Sequence, residues 1–377
     1  MKRLKILFIE PFYGGSHRDF ADGLIKHSFH DITLVTLPAR YWKWRMRGAA
    51  LHFSQIIENP SEYDLLFTSD LMSLSDLKML WGTDCPPTVV YFHENQLSYP
   101  LPDGEKMDYQ FGFTDITTAL AADKLLFNSY FHLNSFLDNM PGFIKKMPEY
   151  KPLWVVDKIR VKSSVLYPGC NFPAGKLNFS KDSKSNKPPL ILWNHRWEFD
   201  KCPDVFFKTL EIADTELKSV GFDTPFNIAL LGESFQAMPK AFIKAKERWG
   251  DRILQYGYCD SKDDYLNWLK RSDITISTAI QENFGISVVE AIRYGSRPLL
   301  PDRLSYPELI PEAFTDSVIY SDYNELTEKL IIILKQLHEC GNIAGLEEST
   351  GLSDSFTHYS WQEQAPEYDE LFRMISC

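Results

Sequence analysis

The sequence predicts two doubly wound α/β domains joined by a linker, and three observations carry that prediction. Short apolar runs rich in β-branched and aromatic residues alternate with helical stretches along the whole chain, and the runs are continuous, as in parallel strands covered on both faces. The 377 residues are too many for one compact core and suit two. Between residues 172 and 188 the composition turns polar, rich in Lys, Ser and Asn and closed by Pro188-Pro189, which marks a linker.

In the first domain, residues 1–171, the runs Leu4–Glu10, Asp31–Leu37, Leu65–Ser69, Thr88–His93, Lys124–Asn128 and Ser164–Tyr167 read as strands. In the second, residues 189–360, they are Leu190–Asn194, Phe226–Gly232, Ile253–Tyr256, Ile274–Ser277, Arg297–Leu300 and Val318–Tyr320, with helical periods such as Val205–Ser219 and Gly285–Tyr294 between them. Sheets of this kind place ligands at the carboxyl ends of their strands, so residues just past each strand are the candidates for function.

Composition removes several classes. A 44% hydrophobic and 14% aromatic chain is not disordered. No apolar run reaches the roughly 18 residues that span a bilayer. The basic residues and apolar run at the start faintly imitate a signal peptide, but Glu10, Pro11 and the glycines after them make a buried first strand the better reading. Six scattered cysteines give no metal cluster and point to a reducing, cytoplasmic location. The net charge of −11 argues against a general nucleic-acid binder. Residues 1–171, however, hold 18 Lys+Arg against 19 Asp+Glu, while the remainder holds 22 against 32. The first half is therefore free to present a basic patch to a polyanion.

Four post-strand segments carry candidate chemistry. Pro11-Phe12-Tyr13-Gly14-Gly15-Ser16-His17 is a paired-glycine loop that lets backbone approach a phosphate or sugar, or else a tight strand-to-helix turn. His93-Glu94-Asn95-Gln96 puts four polar side chains at the end of a buried strand, where His93 is either functional or a satisfied core residue. In Asn194-His195-Arg196-Trp197-Glu198-Phe199-Asp200-Lys201, Arg196 and Lys201 are placed to hold a diphosphate, the alternative being a surface pair of Lys201 with Asp200. The sharpest signal is Glu282-Asn283-Phe284-Gly285-Ile286-Ser287-Val288-Val289-Glu290. Here a carboxylate precedes a helix whose first amides, near Phe284, Gly285 and Ile286, face an anion, and Glu290 lies one and a half turns on, toward a ribose.

The Glu282 to Glu290 spacing resembles the Glu-x7-Glu motif of retaining glycosyltransferases of the GT-B, glycogen-synthase-like superfamily, and Arg196 and Lys201 resemble its diphosphate-binding pair. Gly14-Gly15 resembles its glycine loop, and His93 its N-domain histidine. More distinctive strings are similar to the tRNA-queuosine α-mannosyltransferase family: Phe12 to His17, Tyr91 to Leu97, His195 to Glu198, Leu37-Pro38-Ala39, Trp42-x-Trp44-Arg45 and Phe53-Ser54-Gln55. The likeness runs from Ile9 to about Trp361. It implies two Rossmann-like domains with the active site in the interdomain cleft, and a last helix, about 361–377, packed back on the first domain. It also implies transfer of mannose from GDP-mannose to queuosine in the anticodon loop of tRNA-Asp, with retention. On that reading Glu282, His93, Arg196 and Lys201 carry catalysis. Gly14, Gly15, Gly232, Glu233, Tyr258, Asn283, Phe284, Gly285, Ile286 and Glu290 bind the donor, and no metal or other cofactor is required.

The acceptor has support from the residues themselves. Arg40-Tyr41-Trp42-Lys43-Trp44-Arg45-Met46-Arg47 interleaves four basic residues and three aromatics with no acid, which suits a single-stranded RNA loop. Arg40, Trp42, Lys43, Trp44, Arg45, Arg47, Glu94 and Asn95 are the acceptor candidates. A core helix or a membrane-surface helix would share this pattern. A second basic stretch, Lys145 to Lys162, holds six Lys/Arg against two acids. Two other functions stay open: a GT-B enzyme using another nucleotide sugar on a lipid or polysaccharide, and a non-catalytic RNA-binding protein on the same scaffold.

Overall fold

A computed structural model describes residues 2–101, 104, 106–177, 187–233, 238–340 and 346–376. The chain divides into two compact units, Met1–Ala174 with His358–Cys377, and Gly175–Thr357.

The first unit runs β1 (Lys5–Tyr13), α1 (Gly15–His27), β2 (Asp31–Pro38), α2 (Trp42–Ile56), β3 (Leu65–Ser69), α3 (Leu74–Trp81), β4 (Thr88–Phe92), α4 (Tyr109–Ala121), β5 (Lys124–Phe127), α5 (Tyr130–Lys145), α6 (Val155–Arg160) and β6 (Ser163–Val165). The strands form one parallel sheet in the order β2-β1-β3-β4-β5-β6. β3 and β4 are buried along their whole length, which is why their sequences carry no polar alternation. β1 extends beyond the expected Glu10. Its register with β2 shifts between Glu10 and Tyr13, and Tyr13 still pairs with Pro38. Pro11 has no N–H for a regular ladder, so the strand continues through an irregularity instead of ending. Pro11, Phe12 and Tyr13 thus belong to the strand, and the loop shrinks to Gly14.

One face of this sheet packs on α2 to α6 through Phe53, Leu77, Phe136 and Ile144. The other is covered by α1 and by the chain's last helix, which returns from beyond the second unit. That helix spans Trp361–Ile375. It buries Trp361, Tyr368 and Phe372 against Phe8, Phe20, Phe67 and Tyr91.

The second unit runs β7 (Leu190–Asn194), α7 (Pro203–Ser219), β8 (Asn227–Leu231), α8 (Lys240–Trp249), β9 (Ile253–Gly257), α9 (Lys262–Arg271), β10 (Ile274–Ile276), α10 (Ile286–Arg293), β11 (Arg297–Pro301), α11 (Tyr306–Leu309), α12 (Thr315–Val318), β12 (Ile319–Tyr320), α13 (Tyr323–Cys340) and α14 (Leu346–Ser355). Its parallel sheet has the order β12-β11-β10-β7-β8-β9. Trp193, Phe206, Phe207, Phe242 and Leu330 fill its core.

The polar stretch at 172–188 is packed at its start rather than extended. Phe172 is buried in the first unit, Gly175 O accepts a hydrogen bond from Arg293 in the second, and Lys176 pairs with Asp354 at 3.9 Å. Residues 178–186 of the expected linker lie outside the described residues.

Candidate active site

In the first unit the ends of β1, β3 and β4 converge on His93. Gly14 is extended (φ 179°), and a Cβ there would come 2.5 Å from the Ala39 Cβ, so it serves close packing against the chain after β2. Gly15 holds φ +52° with open space around its Cα, so it is needed for the turn into α1. That turn sets His17 in the first turn of α1, where its Nδ1 lies 3.3 Å from the fully buried Glu10 Oε1. The same oxygen accepts from Phe12 N (2.9 Å) and Ser69 Oγ (3.0 Å). Burial pulls the His17 pKa down, but the Glu10 carboxylate outweighs it and the net direction is up.

The His93 ring packs on His17 with centroids 4.0 Å apart. Burial first, then the charge on His17, holds His93 well below the usual histidine range, so it is neutral. Its backbone is pinned on both sides: His93 N donates to Asp70 Oδ1 (2.8 Å), and His93 O accepts from Asn128 (3.0 Å), whose own oxygen is tied to His132 (2.9 Å). Burial raises the Asp70 carboxyl to about 8, with His17 opposing, and raises Asp115 well above the usual range. Asp115, on α4, accepts from Gln96 N at 2.7 Å. Asn95 is buried, and its oxygen accepts from Leu97 N, Ser98 N and Ser98 Oγ, which fixes the loop itself. Glu94 is half-buried and takes a bond from Gln96 Nε2 (3.3 Å). The ligand atoms of Glu10, His17 and His93 lie within 4.8 Å of one another, a spacing a cation could occupy.

Helix α2 places the basic-aromatic segment. Tyr41 is left-handed (φ +57°) and begins the helix. Trp44 is 77% exposed, Tyr41 69% exposed, and Arg40, Lys43 and Arg47 are exposed as well. Trp42 is half-buried against Phe111 (5.1 Å), Arg45 reaches Pro38 O (3.4 Å), and Arg47 donates to Thr114 (3.1 Å). One side of the segment is therefore packed and the other open.

In the second unit the ends of β7, β8 and β10 meet the start of α10. Lys201 is buried, its Nζ donating to Gln281 O at 2.5 Å, 3.3 Å from Glu282 Oε2 and 3.2 Å from Asp200 Oδ2. Burial opposes its charge, but Glu282 and Asp200 outweigh burial and raise its pKa. The surface-pair reading of Lys201 and Asp200 is thereby replaced by a buried one, with Asp200 fully enclosed. Arg196 is half-exposed, 3.3 Å from Glu198. Gly285 takes φ +87° at the start of α10, where a Cβ would meet Tyr306 at 3.2 Å. Its N-cap position is Gly285, which has no side chain to cap α10, so the helix starts on backbone alone, with the amides of Ile286 and Ser287 in its first turn. Phe284 is buried, its oxygen accepting from Ser305 (3.1 Å), and Asn283 is buried beside Gln281 (3.2 Å). Glu290 takes the Tyr265 hydroxyl at 2.6 Å and lies 3.6 Å from Lys262. Tyr265 in turn receives Asn194 Nδ2 at 2.9 Å, tying the end of β7 to α9 and α10.

A Cβ on Gly232 (φ +122°) would sit 2.0 Å from His195 O, so this glycine is where the loop after β8 crosses the one after β7. Trp197 N donates to Glu233 O (3.1 Å) at the same crossing. Tyr258 is 68% exposed past β9. The sequence reading missed Glu10, Asp70, Asp115, Tyr265 and Lys262. Asp70 directly follows β3, so the post-strand rule applied to that strand would have found it. The others are joined to the site by tertiary packing.

Two parallel, doubly wound six-stranded sheets, the second with Lys201 and Glu282 beside the start of α10, have the architecture of a GT-B glycosyltransferase. Solved structures support the fold. Sucrose-phosphate synthase of Thermosynechococcus elongatus superposes with TM-score 0.70 at 13% identity, covering 99% of each chain. A glycosyltransferase of Rickettsia africae gives 0.66 at 17% identity over 100% of this chain and 99% of that one. Residues 176–344 match the family described as glycosyl transferases group 1, and residues 5–170 match the N-terminal region of tRNA-queuosine alpha-mannosyltransferase. A tRNA-queuosine alpha-mannosyltransferase of Drosophila melanogaster is 38% identical over 333 residues, 86% of this chain and 85% of the fly protein. The chain belongs to the tRNA-queuosine alpha-mannosyltransferase family.

Proposed function

We propose that this enzyme transfers mannose from GDP-mannose to queuosine in the anticodon loop of tRNA-Asp, with retention at the sugar carbon, and that it works in the cytoplasm. The observation that carries the donor half is the pairing of buried Lys201 with half-buried Glu282 beside the start of α10, whose N-cap is Gly285. Arg196, Lys201 and the α10 amides meet the charge that grows on the departing diphosphate. Glu282, oriented by Lys201, accepts hydrogen bonds from mannose hydroxyls, and Glu290 with Tyr265 takes the ribose. On the first unit, the neutral His93 ring contacts the sugar near the reacting carbon, and the exposed rings and cations of α2 hold the splayed RNA loop. The leaving phosphate takes the acceptor proton. The positive groups above do the work of a metal, so a chelator leaves the rate unchanged.

The test is incubation with GDP-mannose and bulk tRNA, with and without queuosine, followed by mass analysis of the modified nucleoside. A hexose added only to queuosine of tRNA-Asp is the expected result. Hydrolysis of a nucleotide sugar without transfer would sink the acceptor and leave the donor half standing.

A further inference from the structure

The basic stretch after α5 has no part in the site described above, yet the structure connects it to α2. Two rings in the first turn of α4 make the connection. Phe111 packs on Trp42 at 5.1 Å and lies under Lys43 Nζ at 6.0 Å, while Tyr109, two residues earlier, lies under Lys146 Nζ at 5.8 Å. Farther along, Tyr150 is 86% exposed and Trp154 61% exposed. Lys151, Lys158 and Arg160 are exposed around them, while Val155 and Ile159 anchor the segment in the core. Lys162 is occupied differently, donating to Leu120 O and Ala122 O.

We infer that these residues form a second RNA-binding surface, continuous with α2, that grips the phosphate backbone of the anticodon stem next to the loop being modified. The inference rests on the RNA acceptor proposed above. Charge complementarity selects the occupant: besides the occupied Lys162, five Lys/Arg stand against two acids, Glu149 and Asp157, in a chain whose net charge is −11. Spacing agrees. Asp115, which holds the loop after His93, lies six residues along α4 from Tyr109, about 9 Å of helix axis. The surface therefore begins about 9 Å of helix axis from the residue that holds that loop. A paired stem offers phosphates to the lysines and a shallow minor groove of ribose to exposed rings such as Trp154.

The experiment compares binding of two unmodified RNAs, an anticodon-arm hairpin and a single strand of the loop sequence alone, to wild type, to a Lys146→Glu/Lys151→Glu/Lys158→Glu triple variant and to Trp154→Ala. All substituted side chains are exposed, and a thermal melt checks the fold. The triple variant is expected to bind the hairpin at least about tenfold more weakly and to lower the log–log salt slope by about 2 to 3. Trp154→Ala weakens it less. Loop-strand binding and nucleotide-sugar hydrolysis stay at wild-type levels. Unchanged hairpin affinity and slope would overturn the inference. So would a loss confined to phosphatidylserine vesicles, which would make the surface a membrane contact. If wild type transfers no mannose to queuosine but the triple variant still loses the hairpin, the acceptor proposal fails and the RNA surface stands.

Discussion

The ammonium of Lys201 has three N–H donors, and Gln281 O, Glu282 and Asp200 surround it. Its loss would leave the fully enclosed Asp200 carboxyl without its ammonium partner. Lys201→Ala should therefore lower stability by about 3–5 kcal/mol as well as abolish turnover. Arg196→Ala, at a half-exposed position, should change stability by less than about 0.5 kcal/mol while reducing kcat/KM at least about 100-fold. Urea unfolding beside steady-state kinetics checks both, and a fully active Arg196→Ala enzyme would remove Arg196 from the mechanism. Asp70 gives a pH signature. Its folded pKa, about 8, lies above the ordinary carboxylate value, so the folded state holds an extra proton between roughly pH 4 and 8. The associated stability is complete below the unfolded pKa and is lost as pH rises through 8, with a slope of at most about 1.4 kcal/mol per pH unit. Asp70→Asn keeps an oxygen for His93 N and should remove that slope, which urea midpoints from pH 5 to 8 would reveal. Arg196, Lys201, Glu282 and His93 were legible because each follows a buried strand. The charge states of His17 and His93 were not, since they depend on Glu10, His132 and a burial that only the folded chain creates.

Among the elements, the strands were the most legible, because parallel strands buried on both faces carry unbroken apolar runs that helices of this size do not. Leu65–Ser69 and Leu190–Asn194 coincide with the expected spans, and β1 alone departs by more than two residues, through the irregularity at Pro11. The exposed side of α2 was legible as a basic-aromatic string. Its packed side was not, because Phe111 and Thr114, which hold Trp42 and Arg47, lie some seventy residues away. The loop crossing at Gly232 gives a prediction at this scale. Gly232→Ala forces a Cβ to within 2.0 Å of His195 O at a positive φ, so one of the two loops must move. A loss of about 2–3 kcal/mol and a raised KM for the nucleotide sugar are expected. A thermal midpoint unchanged from wild type would mean the crossing is soft.

At the scale of the whole molecule, the chain's last helix belongs to the first unit. Gly23 and Gly169 have no Cβ where one would come within 1.9 and 2.1 Å of the Trp361 ring, so the two glycines form a slot for it. Trp361 also supports the site through Phe20, which lies 5.4 Å from its ring and 5.0 Å from His93. Trp361→Ala should cost about 3–5 kcal/mol. In hydrogen exchange the loss of protection should concentrate in β1, β3 and β4, and uniform loss across both sheets would contradict the assignment. The sequence alone could divide the charge between the halves, but only the family likeness, and no pattern in residues 1–171 themselves, pointed to residues 361–375 as the helix that finishes their core.

That return has a consequence for how the protein is made. A ribosome delivers the chain from its amino end, and most multidomain proteins fold their leading domain first. Here the leading sheet leaves the tunnel with Phe8, Phe67 and Tyr91 covered on that face by α1 alone, and the helix that completes their burial is translated only after all of residues 175–357. The second-born unit can close first, while the first-born one waits with an oily face that invites chaperones. A chain cut short anywhere before Trp361 would lack the helix that finishes hiding it.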